Sequence, residues 1–248
     1  MYSFKKPLFF KAQLHFRPGA GPLTETCGFG YRSGWRLRHV KDPTSEPPMP
    51  TLYSIKPAFQ NLLRPLVSHL VKAGMTANQV TLGAAALSVA GGIAMAVFAA
   101  NPGIFWIVPV ILFVRMALNA IDGMMAREFG QASKLGAYLN EIGDVVSDVA
   151  LILPFALVAP FGAAGVVAFA IAALLVEYAG VLGTMVGAGR IYDGPFGKSD
   201  RALALGVLAV LIALQLVPRW FEWLFPVLAL VSLYTMVNRI RAGLARAG

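Results

Sequence analysis

The chain has little of what a water-soluble protein is made from. Charged residues fill 13% of its 248 positions and hydrophobic ones 57%, whereas an ordinary globular domain is about one-quarter charged. Residues 73 to 114 contain no Asp, Glu, Lys or Arg. A stretch of that length accommodates two membrane spans of roughly 20 residues each. Cysteine is almost missing. The single Cys27 excludes an internal disulfide and says nothing of an oxidising compartment. Acidic residues are outnumbered by basic ones, 12 to 21. No aromatic-basic surface accompanies that excess, so it reads as positive-inside asymmetry and not as a nucleic-acid site.

The shortage of charge makes the remaining charges informative. Residues 1 to 48 carry eight Lys or Arg against three acids, with scattered Pro, Gly and aromatics and no helical or strand period. Residues 1–50 therefore read as a disordered extension, or as sequence upstream of a true start at Met49. A membrane-surface tether is the functional alternative. The apolar run between Lys6 and Lys11 is too short for a signal-peptide core. From residue 51 the chain reads as one membrane domain, 51–248.

It opens with an amphipathic helix over about residues 53–72. Ile55, Phe59, Leu62, Leu63, Leu66, Val67 and Leu70 share one face, with Lys56, Arg64 and Lys72 off it; that is the pattern of an interfacial helix. Six spans follow, at about 77–99, 104–127, 133–158, 163–188, 201–217 and 222–238. The expected fold class is thus an all-α integral membrane protein of six transmembrane helices preceded by an interfacial one. Six spans place both termini on one side. The loops there hold most of the base, so that side is predicted to be cytoplasmic.

Two of these spans carry polar residues that the bilayer would not tolerate without a purpose. The first set is Asn119, Asp122, Gly123, Ala126 and Arg127. The second is Gly136, Asn140, Asp144 and Asp148. Positions 119, 122 and 126 lie on one helical face, and positions 136, 140, 144 and 148 recur every four residues on another. A short polar turn joins the helices, so they can run antiparallel with these faces opposed. Oxygen ligands converging in this way suit a hard divalent cation. Small residues at 123, 126 and 136 permit close helix approach or admit a flat ligand. Arg127 can reach a phosphate oxygen.

This pattern resembles the signature of the CDP-alcohol phosphatidyltransferases, Asp-x2-Asp-Gly-x2-Ala-Arg-x8-Gly-x3-Asp-x3-Asp. The spacing holds throughout, from position 119 to position 144. Two positions depart: Asn119 and Asn140 stand where the signature has aspartates. The resemblance implies transfer of a phosphatidyl group from CDP-diacylglycerol to an alcohol acceptor, with release of CMP, in phospholipid synthesis at a bacterial inner membrane. It implies Mg²⁺ or Mn²⁺, one or two ions, held by Asp122, Asp144, Asn119 and Asn140; of the two nearby acids that could make up the charge the asparagines omit, Glu141 and Asp148, Asp148 shares the face of the ladder. It makes Asp144 the general base and implies a homodimer. Asn78 and Thr81 match the family's Asn-x-x-Thr near the nucleotide, although Thr76 or Asn78 as a helix cap explains the same residues. Gly197-Lys198 and Arg201 resemble the family's phosphate-binding Gly-Lys region. No P-loop is present. A catalytically inactive relative that binds a CDP-lipid, or assists a partner enzyme, is the alternative. A transporter is disfavoured, since neither inverted repeats nor broken helices are visible. Arg115 is expected to pair with a carboxylate. Glu177 is expected to pair with Arg115 or to stay protonated.

Overall fold

The computed structural model describes residues 52 to 247, with side chains placed from Phe59 onward. The readings for residues 1–50 lie outside the described residues, as do the side chains of Ile55 and Lys56. Seven α-helices and no strand are found among the described residues: α1 (Leu52–Lys72), α2 (Ala77–Val97), α3 (Ile107–Glu128), α4 (Lys134–Ile152), α5 (Ala163–Leu182), α6 (Lys198–Ala213) and α7 (Leu224–Ala247). Short 3₁₀ turns at Pro102–Trp106, Leu153–Leu157 and Arg219–Trp223 lead into or out of α3, α4 and α7.

This is an all-α membrane protein. Four helical stretches are long and apolar enough to cross a bilayer: Ala77–Val97, Pro102–Glu128, Ala163–Leu182 and Arg219–Ala247. The other two expected spans are weaker. Helix α6 has 16 residues, about 24 Å against a hydrocarbon core of about 30 Å. Helix α4 carries Lys134, Glu141, Asp144 and Asp148 within 19 residues.

Several boundaries shift for identifiable reasons. Helix α6 starts at Lys198, ahead of the expected 201, because the Asp200 carboxylate accepts the Gly197 backbone N–H at 2.8 Å and caps the first turn. Helix α7 runs past 238 to Ala247, since nothing there breaks it. Helix α5 ends at Leu182, where Gly183 begins a series of turns. Helix α1 passes through Pro65 without interruption.

The two ends of the helix assembly differ in chemistry. One end is an aromatic core of Phe105, Phe155, Phe161, Phe169 and Phe225, with ring centroids 5.1–6.5 Å apart where they meet. These rings come from the approach to α3, the exit of α4 and the starts of α5 and α7. They fix four chain segments at one level through burial and edge contacts. The polar residues gather at the other end. Helix α2 packs against both α3 and α4, and α5 against α7. The approach of α2 to α4 needs glycine: a Cβ on Gly92 would run into the Ala150 carbonyl. A second apolar cluster, Val67, Ala77, Val80, Ile121, Met124 and Met125, seats α1 against α2 and α3.

Candidate active site

The site lies where the second half of α3 faces the first half of α4, with the starts of α2 and α6 closing it. Asp122 is buried on α3. Its Oδ2 accepts the Thr81 hydroxyl from α2 at 2.7 Å. That hydroxyl also lies 3.0 Å from the Ala77 carbonyl, so Thr81 is held in the rotamer that points it at the carboxylate. Thr76 is the N-cap of α2, in a reciprocal capping box with Gln79. The cap and the site contact are thus different residues of one short motif.

Asp144 on α4 receives three donors from two elements, α3 and α6. Arg115 of α3 reaches its Oδ1 at 3.3 Å and its backbone carbonyl at 3.1 Å. The Asn119 amide makes a long contact of 3.5 Å to the same Oδ1. The Lys198 ammonium, at the first turn of α6, forms an ion pair with that oxygen too. The opposed faces expected of α3 and α4 are therefore brought together at Asn119 and Asp144.

The small residues have structural work as well. A Cβ on Gly136 would sit 2.7 Å from Asn78 Oδ1 and 3.0 Å from Ser133 Oγ. Gly136 thereby lets Asn78 lie against the start of α4, and Ser133 caps that helix by accepting the Gly136 N–H at 2.9 Å. The Arg127 guanidinium folds back over Gly123, where a Cβ would stand 3.1 Å from both Nη atoms. Arg127 is exposed near the end of α3 and Ala126 half-buried. Asn140 is half-buried one turn from Gly136 and Asp144.

Other expected site residues are placed differently. Asp148 faces two arginines: Oδ1 takes Arg115 at 2.7 Å and Oδ2 takes Arg201 at 3.0 Å. Arg201 is buried, only 1% exposed, and its second contact is Glu177 at 2.8 Å. It is an internal strut and not a residue open to phosphate. Glu177 does not pair with Arg115. It sits between Arg201, Arg190 (3.0 Å) and Arg239 (3.4 Å). Arg239 also donates to the Val176 carbonyl at 2.9 Å. Arg190 extends the cluster to Glu141 and lies over the Tyr192 ring at 5.0 Å. Arg115 meets the expectation of a carboxylate partner twice.

A groove of about 700 Å³ starts at this polar end. Arg115, Asn119, Lys198 and Ser199 line its head. Phe113, Met116, Leu203 and Val207 line its length between α3 and α6, and all four are at least half exposed on the outer surface.

The profile of the CDP-alcohol phosphatidyltransferase family matches residues 74–237. The chain belongs to that family. Among curated relatives, the inner membrane protein YnbA of Escherichia coli is 46% identical over 195 residues, covering 77% of this chain and 96% of YnbA. A phosphatidylinositol phosphate synthase of Corynebacterium glutamicum is 29% identical over 197 residues, 76% of this chain and 86% of the synthase. Among solved structures, the phosphatidylinositol phosphate synthase PgsA1 of Mycobacterium tuberculosis matches with a TM-score of 0.61 at 22% identity. Its CDP-DAG complex covers 72% of this chain and is itself covered to 92%. A second PgsA1 structure, with manganese and citrate, gives the same TM-score.

The family signature accounts for the α3–α4 face. It does not account for the Glu177 cluster, which sequence reasoning missed. Arg190 stands in the loop before α6 and Arg239 near the end of α7, among the basic residues that the charge asymmetry of the loops and termini already explains. The available signal was Glu177 itself: an acid deep in an apolar helix requires partners.

Proposed function

We propose that this protein transfers a phosphatidyl group from a CDP-linked lipid to an alcohol acceptor and releases CMP. The observation that carries the reading is the joining of two environments in one cavity. The polar head at Arg115, Asn119 and Lys198 continues directly into the apolar groove between α3 and α6. A diphosphate fits the first and an acyl chain the second.

The remaining roles follow from position. Arg127 near the end of α3 and Lys198 at the head supply positive charge to the diphosphate. The acceptor hydroxyl attacks the lipid-linked phosphorus. A new P–O bond forms, the diphosphate P–O bond breaks, and CMP departs with the electron pair. Asp144 takes the hydroxyl proton. Thr81, Asn78 and Gly136 keep the starts of α2 and α4 in register around Asp122.

The donor set suits a single hard divalent cation. Asp122 and Asp144 supply carboxylates and Asn119 and Asn140 supply amide carbonyls, all oxygen. Among the described residues, no group of three or more His, Cys, Asp or Glu side chains converges as a metal cage, so amide or substrate oxygens complete the set. Bound there, Mg²⁺ or Mn²⁺ would neutralise developing phosphate charge. We place the site at the cytoplasmic side of a bacterial inner membrane, with six helices crossing and α1 lying at the surface.

The test uses purified protein in lipid nanodiscs, labelled CDP-diacylglycerol and a panel of alcohols. CMP release that requires Mg²⁺ or Mn²⁺, and falls about 10²–10⁴-fold in Asp144→Ala, supports the proposal. Binding of CDP-diacylglycerol without turnover across the panel refutes it.

A further inference from the structure

We infer that the acceptor of this site is an uncharged polyhydroxy alcohol and not a phosphorylated one, and that Glu177 and Glu141 set this preference. The inference rests on the proposed phosphatidyl transfer and names the class of its second substrate.

Base is concentrated between α5 and the first turn of α6, where Arg190, Lys198 and Arg201 stand. Open charges there would suit an anionic acceptor, but these are taken. Arg190 pairs with Glu141 and, at 3.0 Å, with Glu177. Arg201 is shared by Asp148 and Glu177. Arg239 of α7 approaches Glu177 at 3.4 Å and donates to the Val176 carbonyl. Glu177 thus occupies the point on which three guanidinium groups converge, the place a bound phosphate would need.

Burial completes the closure. Arg201 and Arg239 are 1% and 2% exposed. The cluster nitrogens that lack a partner, Nε of Arg190, Arg201 and Arg239 and Nη1 of Arg201, are themselves sealed from solvent. Arg190 keeps a partly exposed edge, and there it meets Glu141 and lies over the Tyr192 ring. A phosphate monoester, with a charge of about −1.5 to −2, would have to displace Glu141 and stand beside Glu177. Repulsion from both carboxylates opposes that.

The other basic residues of α3, α4, α6 and α7 do not fill the gap. Arg115 is held by Asp144 and Asp148. Lys198 and Arg127 serve the donor diphosphate in the proposed reaction. Lys134 opens α4 ten residues before Asp144, about 15 Å along the helix. Arg246 takes Asp193, and Arg241 is exposed about 200° around α7 from Arg239. An ammonium fares no better, since Glu141, Glu177 and Asp193 already have guanidinium partners. A hydroxyl both donates and accepts. It can join the Arg190–Glu141 pair without displacing either charge, and Glu141 stands one helical turn from Asp144, the proposed base.

Two measurements on the full chain in nanodiscs test this. In the first, inorganic phosphate is titrated by calorimetry with CDP and Mg²⁺ present to occupy the diphosphate cations. The wild type is expected to bind phosphate weakly or not at all. Glu141→Gln removes the charge that covers the open edge of Arg190 and is expected to raise phosphate affinity about tenfold or more. Tight binding by the wild type, or no gain in Glu141→Gln, would overturn the inference. In the second, CMP release is followed with glycerol against glycerol 3-phosphate, inositol against inositol phosphate, and ethanolamine. The neutral alcohols are expected to give the higher kcat/KM. A charged acceptor used better than the neutral ones would overturn the inference. Silence across the whole panel, with the phosphate titration as expected, would sink the proposed reaction and leave this charge assignment standing.

Discussion

Removing the Glu177 carboxylate should cost the fold more than any other single change at the polar end. The residue is 4% exposed and joins α5 to α6 through Arg201, to α7 through Arg239, and to the following loop through Arg190. In Glu177→Leu three guanidinium groups lose a shared counter-ion. Buried nitrogens already lack partners in this cluster, Nε of Arg190, Arg201 and Arg239 and Nη1 of Arg201, so the released donors have few alternatives. Breaking a buried ion pair by deleting one partner costs about 3–5 kcal/mol. For a chain of this size that corresponds to a fall in apparent Tm of roughly 6–20 °C. Thermal unfolding in detergent, followed by a thiol-independent probe such as tryptophan emission, measures it. Glu177→Gln keeps an acceptor oxygen and should lose less. Adding Arg239→Met to Glu177→Leu should recover part of the loss, because the cost lies in the unpaired charge. An unchanged Tm in Glu177→Leu would refute the claim that this cluster locks α5, α6 and α7 together.

Four further outcomes are expected. Thr81→Val leaves Asp122 Oδ2 without its hydroxyl and should lower stability by about 1.5–3 kcal/mol, measured by the same unfolding assay, and should weaken Mn²⁺ binding followed by electron paramagnetic resonance. Gly136→Ala pushes a methyl against Asn78 Oδ1 and should reduce CMP release, with partial rescue by Asn78→Ala; no effect would contradict the close approach. Leu203→Trp or Val207→Trp fills the groove between α3 and α6, and should raise KM for long-chain CDP-diacylglycerol while sparing a short-chain analogue. Thr76→Ala removes the α2 capping box and should cost about 1 kcal/mol of stability while the Thr81–Asp122 contact survives.

The sequence showed the site in outline because its code is periodic. Every fourth residue on α4 and the 119–122–126 face of α3 can be read from spacing, and Asn119 and Asp144 do meet. Helix existence was equally legible, since apolar length is the dominant signal in a membrane chain. What escaped was pairing between helices remote in sequence. Asp148 shares the face of Asp144, so spacing alone made it a ligand; the two arginines that hold it come from α3 and α6. Arg201 is assigned to phosphate by its resemblance to the family's Gly-Lys region, and nothing in the sequence tells which side of that first helical turn is covered. Boundaries at 198 and 247 escaped for a simpler reason. They depend on a side-chain cap at Asp200 and on the lack of a breaker in α7, not on hydropathy.

On the proposed reaction, the groove between α3 and α6 gives the molecule a side door in addition to its end door. A lipid sliding in past Phe113 and Leu203 never has to be lifted out of its leaflet, and the product can back out the same way. A water-borne alcohol would instead arrive at the polar head, where Lys198 is partly exposed. Separate thresholds of this kind would spare either visitor from waiting for the other to leave.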